Sequence, residues 1–288
     1  MTPIEYLDIQ KKSVDAFLDR FLLPEQTKPE SIHKAIRYSV FSGGKRFRAS
    51  LCIAANEAFD GDRERVLPVA AGIELIHAYS LIHDDLPCMD DDDLRRGKPT
   101  LHKVYGENIA VLAGDALNAL AFELIARAGN CRLISILANA IGTEGMIGGQ
   151  VADVESDGKS NLTEDDVLFI HTRKTAKLIS ASLEMGSLAA GANPQEIEIM
   201  TGFGDRIGLA FQIVDDILDI VSSPEVLGKD IGSDEENDKA TYPKICGIEK
   251  SHEIAQELIH EARSILTKLR INTEILDSLA HFVISRVN

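Results

Sequence analysis

The sequence predicts an all-α fold. Apolar residues recur every three to four positions through most of the 288 residues, which is the signature of amphipathic helices. Alternating β-branched runs bounded by hairpin turns are nearly absent. No stretch rich in Pro, Gly or Ser divides the chain, and no short-period repeat is visible. Together these features predict one helical domain spanning residues 1–288, long enough to bury a sizeable core.

The elements follow in order. Leu7, Val14, Phe17, Leu18, Phe21 and Leu22 define a first helix. Leu67, Ala70, Ala71, Ile73, Leu75 and Ile76 open a long one, expected over 68–86. The helical period continues through 108–128, 133–155, 163–191 and 195–222, and the last helices are expected at about 250–270 and 273–286. Thr163, with Asp166 three residues on, forms a capping-box start, and Pro194 sits in the first turn of its helix. Breaks fall at 25–29, 59–62, 95–100, 155–160 and 222–243. The last is the longest polar segment, and such a length inside a compact domain points to function.

Composition excludes several classes. Acidic residues outnumber basic ones 46 to 30, giving a net charge of -16. Nucleic acid is therefore not an expected partner. The four cysteines, Cys52, Cys88, Cys131 and Cys246, form no C-x-x-C motif and no disulfide framework. The first twelve residues lack the basic flank and apolar core of a secretory signal. No run of about 18 apolar residues is evident, so no membrane span is expected and the cytoplasm is the expected location.

Two aspartate clusters carry the chemistry. The first runs from Asp84-Asp85 through Asp90 and on to Asp91, Asp92 and Asp93, followed by Arg95-Arg96; the second comprises Asp215, Asp216 and Asp219. Clustered carboxylates raise one another's pKa and are costly beside a core unless a cation joins them. Oxygen ligands without a His or Cys set favour Mg²⁺ or Ca²⁺ over Zn²⁺. Asp215 and Asp219 share one helix face, joined by Gln212. Asp84 and Asp90 are six apart, so the helix must distort near Pro87 for both to grip one metal pair. Asp91 to Asp93 read as solvated carboxylates.

Basic residues accompany the clusters. Gly43-Gly44-Lys45-Arg46-Phe47-Arg48 is a glycine pair opening into a basic turn at a helix start, suited to a phosphate. It is not a P-loop. His77 lies two turns before Asp84 on the same helix face, where an ordinary core histidine is the competing reading. Thr172-Arg173-Lys174-Thr175 interrupts an apolar helix, and Lys229 and Lys239 lie in the long polar segment. The set points to a site holding Mg²⁺ and a polyphosphate together.

Taken in order, GGKRFR at 43–48, HAYSLIHDDLPCMDDDDLRRGKPTLH at 77–102, AGDAL at 113–117, GGQVAD at 148–153, HTRKTAKL at 171–178, FQIVDDILD at 211–219 and GKD at 228–230 resemble the trans-isoprenyl diphosphate synthases. Within that family the pattern looks most like the bacterial farnesyl diphosphate synthases. The resemblance implies an isoprenoid-synthase helical bundle around a deep central cavity, usually a homodimer. It implies head-to-tail addition of isopentenyl diphosphate to dimethylallyl and then geranyl diphosphate. By that likeness Asp84, Asp90 and Asp215, supported by Asp85, Asp216 and Asp219, bind a cluster of Mg²⁺ ions. Arg95, Lys174 and Lys229 hold the allylic diphosphate, with Lys239 a weaker candidate. Thr175 and Gln212 place oxygens near the allylic cation. Lys45, Arg48, His77 and Arg96 bind the diphosphate of isopentenyl diphosphate. The proton lost at the end goes to released pyrophosphate, so no protein base is required.

Product length is expected to be set outside the clusters. Ser80 lies one turn below Asp84, and Tyr79 one residue further, about 7 Å along the axis. In the family an aromatic residue there accompanies a C15 product, so Tyr79 favours farnesyl diphosphate over the C20 alternative, geranylgeranyl diphosphate. A terpene cyclase usually lacks the basic set present here. A silent partner subunit tends to lose aspartates, and an acidic Ca²⁺-binding scaffold would need an EF-hand loop that is missing.

Overall fold

The computed structural model describes residues 1–159, 161–221 and 239–286. Fourteen α-helices are seen among them: α1 (Pro3–Phe21), α2 (Glu30–Val40), α3 (Phe47–Ala58), α4 (Arg63–Asp84), α5 (Leu101–Tyr105), α6 (Glu107–Ala126), α7 (Cys131–Ile141), α8 (Met146–Ser156), α9 (Glu164–His171), α10 (Lys177–Ala190), α11 (Pro194–Val221), α12 (Tyr242–Cys246), α13 (Ile248–Leu266) and α14 (Glu274–Ile284). The only described strands are β1 (Leu94–Arg95) and β2 (Lys98–Pro99), an antiparallel pair turning through Arg96 and Gly97, both at positive φ. That tight turn falls at the expected break over 95–100 and fixes where Arg95 and Arg96 leave the backbone.

Local chemistry accounts for the helix ends. Thr163 and Asp166 form the expected capping box, each side chain accepting from the other's backbone N–H. Asn193 Oδ1 accepts from the N–H groups of Gln195 and Glu196 at the start of α11. The stretch 133–155 differs from expectation: it is two helices, α7 and α8, because Gly142 to Gly145 break the periodic pattern between them. The helix expected over 163–191 is continuous in path but changes pitch at Thr172–Ala176, a π-helical turn.

Packing joins two apolar clusters. One gathers α2, α4, α6 and α7 with parts of α1, α3 and α10; the other gathers α11, α13 and α14 with α9 and the remaining faces of α1, α3 and α10. Helix α4 packs on α6, and α10 packs on both α3 and α11. Contrary to the sequence-based expectation, α4 and α6 are each long and apolar enough to cross a membrane by length and composition. In the fold they pack on each other, with 67% of the apolar stretch buried in α4 and 39% in α6. The difference leaves Val111 and Leu112 of α6 exposed.

The π-turn wedges against α8. A Cβ on Gly149 would lie 2.3 Å from the backbone nitrogen of Lys174, so only glycine permits this approach. Gly149→Val is expected to destabilise the fold by about 1–3 kcal/mol through overpacking, read as a lower midpoint in urea, and to displace Lys174. An unchanged midpoint would count against this packing.

Candidate active site

Arg48, His77, Asp84, Arg95, Arg96, Lys174, Gln212 and Asp215 converge on one cavity of about 1060 Å³. Its deeper walls are apolar, with Tyr79, Met89, Ile147, Val151, Leu178 and Phe211. A smaller chamber of about 210 Å³ adjoins it, sharing Asp84, Arg95, Lys174, Thr175, Gln212 and Asp215 and adding Asp90, Asp153, Asp216 and Lys239. Charged groups thus gather where the two spaces meet.

The first cluster folds as its spacing demands. Helix α4 ends at Asp84, and the Asp90 N–H donates to the Asp84 carbonyl at 2.9 Å, turning the chain back so that both carboxylates line one chamber. Pro87 sits inside this reversal, where its missing N–H costs nothing. Asp85 points elsewhere: it is only 4% exposed and accepts from Arg95 Nε at 2.5 Å. Asp92 is drawn in by Arg95 Nη2 at 2.8 Å, whereas Asp93 is exposed as expected and pairs at the surface with Lys103 Nζ at 2.5 Å.

In the second cluster Asp215 lines both spaces and pairs with Arg286 Nη1 at 2.8 Å. Asp216 is 2% exposed and turned to protein donors. Gln212 Nε2 donates to its Oδ1 at 2.9 Å, and His171 Nε2 and the Tyr242 N–H reach its Oδ2 at 2.7 and 3.2 Å. Asp219, one turn further along α11, is buried and lies outside the lining of either space.

Cations hold the carboxylates apart. Lys174 Nζ donates to Asp153 Oδ2 at 2.6 Å, and Lys239 Nζ to Asp90 Oδ1 at 3.0 Å. Burial alone would lower the Lys174 ammonium, but Asp153, Asp84 and Asp90 outweigh it and raise it above the ordinary lysine range. Burial pushes the Asp84 carboxyl up, offset in part by Lys174. For Asp90 the same burial is overcome by Lys174 and Lys239, which hold it below the usual carboxylate range. Burial is also the main reason why Asp85 is pushed up to about 6 despite Arg95.

The basic set divides. Arg48, His77 and Arg96 line the large cavity; Lys45 is exposed outside its lining, with its ammonium 5.0 Å from the Phe282 ring centre. Burial and the neighbouring Arg48 and Arg96 hold the His77 imidazole well below its ordinary pKa, so it stays neutral. The Gly43-Gly44 pair serves Arg96: its Nη1 donates to the Gly43 carbonyl at 2.8 Å, and a Cβ on Gly44 would fall 2.6 Å from the guanidinium carbon. Lys229 lies outside the described residues.

Sequence reasoning missed Asp153, His171, Tyr242 and Arg286. Asp153 and His171 stood inside the strings GGQVAD and HTRKTAKL, with no pattern showing what they touch. Nothing local marks Arg286, which reaches Asp215 only through the fold.

Do these residues suit Mg²⁺? Among the described residues no three acidic, His or Cys side chains converge as a ready-made cage. Mg²⁺ is usually held by one or two carboxylates, with water and substrate phosphate completing its shell. Asp84, Asp90 and Asp215, facing one chamber beside Lys174 and Lys239, fit that shared arrangement.

A helical bundle enclosing such a cavity defines the isoprenoid-synthase class. Residues 29–273 match the polyprenyl synthetase family, and the chain belongs to it. It is similar to a chloroplastic geranylgeranyl pyrophosphate synthase of Catharanthus roseus, 46% identical over 98% of this chain and 81% of that protein. A geranylgeranyl diphosphate synthase of Cyanophora paradoxa is 42% identical, over 99% of this chain and 97% of its own. Among solved structures, a Helicobacter pylori geranyltransferase complexed with magnesium and isoprenyl diphosphate superposes with a TM-score of 0.87 at 35% identity, over 100% and 98% of the two chains. The chain is a trans-prenyl diphosphate synthase.

Two measurements test the site. Asp84→Ala and Asp215→Ala are each expected to lower prenyl transfer by at least about 100-fold, with the helical circular dichroism unchanged; retained activity would remove them from the metal-binding set. The second concerns metal-free protein. Because the folded-state pKa of Asp85 is raised, its stabilising contribution is fully present below about 3.8 and is lost as pH rises through about 6. The wild type should therefore lose stability relative to Asp85→Asn across that window, by at most about 1.4 kcal/mol per pH unit. Parallel urea midpoints for the two proteins would contradict it.

Proposed function

We propose that this chain, as a single domain over residues 1–288, condenses isopentenyl diphosphate head-to-tail with allylic diphosphates to make a short prenyl diphosphate and pyrophosphate. The observation carrying this reading is the shared chamber of Asp84, Asp90, Asp215, Lys174 and Lys239 adjoining the larger cavity. Asp84, Asp90 and Asp215 hold Mg²⁺ with the allylic diphosphate, while Asp85, Asp216 and Asp219 stand behind them. Bound Mg²⁺ supplies positive charge to the departing pyrophosphate. Arg95, Lys174 and Lys239 grip the same group, joined by Lys229. Arg48, His77 and Arg96, with Lys45 at the rim, position isopentenyl diphosphate; neutral His77 serves as a hydrogen-bond donor.

The allylic C–O bond breaks, and the double bond of isopentenyl diphosphate attacks the resulting cation. The proton then lost passes to pyrophosphate. Thr175 and Gln212 set oxygens beside the cation, and the apolar wall excludes water that would capture it.

Two products have separate support. Relatedness favours C20, because the curated relatives reported above are named as geranylgeranyl diphosphate synthases and match nearly the whole chain. Wall geometry favours C15. Tyr79 is 8% exposed and lines the cavity; its ring meets His83 edge-on at 5.2 Å, and His83 Nε2 donates to the Val111 carbonyl at 3.1 Å. That brace makes Tyr79 a floor for the growing chain, with Ser80 above it. Kinship is the broader support, whereas the C15 reading rests on one side chain.

A homodimer is part of the proposal, supported by the exposed apolar side of α6. The cytoplasmic location comes from the sequence reading alone, whereas several relatives are named as chloroplastic.

Incubation with Mg²⁺, isopentenyl diphosphate and dimethylallyl diphosphate, followed by mass analysis, is expected to give C15 if Tyr79 closes the cavity and C20 if it does not. No prenyl product of any length would overturn the reaction class. Tyr79→Ala should shift the distribution to longer chains, and an unaltered distribution would remove Tyr79 as the floor.

A further inference from the structure

A chain of hydrogen bonds runs along the wall of the smaller chamber, which Thr175, Gln212, Asp216 and His171 all line. Thr175 Oγ1 donates to Gln212 Oε1 at 2.6 Å, Gln212 Nε2 donates to Asp216 Oδ1 at 2.9 Å, and His171 Nε2 meets Asp216 Oδ2 at 2.7 Å. Asp216, His171 and Thr175 are all buried. The His171 Nδ1 has no hydrogen-bond partner among the described residues, and the ring is tilted against Tyr242 at 5.6 Å. Among the described residues the only hydrogen bond made by this imidazole is therefore the one to Asp216.

The direction of every bond follows from one end. A carboxylate only accepts, so His171 must place its proton on Nε2, and Gln212 must present its amide NH₂ to Asp216. The amide oxygen of Gln212 then faces Thr175. An amide oxygen only accepts, so the Thr175 hydroxyl spends its proton on Gln212. What Thr175 presents to the cavity is thus a lone pair rather than an O–H. A lone pair stabilises a developing cation, whereas the positive end of an O–H dipole opposes it.

We infer that His171 and Asp216 are positioning residues that fix the polarity of Thr175, holding its oxygen lone pair toward the allylic cation. This rests on the prenyl-transfer reading and adds to it. Asp216 acts here by orienting Gln212, and His171 by holding the second oxygen of Asp216 so that the carboxylate cannot rotate. The Tyr242 N–H, donating to that same oxygen at 3.2 Å, ties the chain returning at α12 to the network.

Three variants test it. His171→Leu keeps much of the volume and removes the donor; His171→Gln restores an N–H donor; Asp216→Asn offers Gln212 an amide NH₂, allowing the whole chain of bonds to reverse. His171→Leu and Asp216→Asn should each lower kcat about 10- to 100-fold, with KM for both diphosphates within about threefold of the wild type. His171→Gln should recover most of the loss. Calorimetric binding of inorganic pyrophosphate with Mg²⁺ should be unaltered in all three, and circular dichroism should confirm that each is folded. Full kcat in His171→Leu would overturn the inference. So would a loss confined to KM or to Mg²⁺-pyrophosphate binding, which would place Asp216 on the metal instead. A wild type that transfers no prenyl group would overturn the reading beneath it, and the inference with it.

Discussion

Everything at the meeting of cavity and chamber depends on how buried carboxylates are kept compatible with a helical core. Lys174 is the central device. Its ammonium is fixed by Asp153 at 2.6 Å and coupled electrostatically to Asp84 and Asp90. An unpaired buried carboxylate costs several kcal/mol, and a pair is tolerated only with good geometry and further hydrogen bonds. Lys239 on Asp90, Arg95 on Asp85 and Arg286 on Asp215 repeat the solution around the chamber. The carboxylates that line the chamber can therefore coexist before any substrate arrives.

The same constraint explains the backbone irregularities. The π-turn at Thr172–Ala176 adds the residue needed to aim Lys174 and Thr175 at the site from a helix that is otherwise core. Such turns are rare and gather at functional positions. Helix α8 packs against this turn through Gly149, where a Cβ would meet the Lys174 backbone. The reversal after Asp84 and the two-residue hairpin at Arg96-Gly97 are further departures from regular helix, and each delivers a charged side chain. Regular helices build the apolar wall; the irregular points build the chemistry.

The two aspartate clusters are alike in sequence and unlike in use. Each leads with a residue that lines the chamber, Asp84 or Asp215, followed by one whose oxygens are taken up by protein donors, Asp85 outside the chamber and Asp216 at its wall. The leading residues suit a metal shared with a diphosphate. The following ones hold Arg95 in one case and Gln212 with His171 in the other. A D-D pair is thus a division of labour between contact and support.

Much of this was legible without coordinates. Helical periodicity determined the fold class, because a 3.6-residue apolar pattern has no other way to bury itself. Spacing placed Gln212 and Asp215 on adjacent turns, and Pro87 marked where the chain had to turn back. The ordered motifs identified the family. Other features needed tertiary structure, since they join residues remote in sequence: Asp153 to Lys174, His171 to Asp216, Arg286 to Asp215, and Gly44 to Arg96. The sequence determined by itself which side chains could do chemistry, because composition and local spacing fix residue type and helix face. Only the fold decided which protein donors each carboxylate meets, because that choice depends on the direction from which each partner arrives.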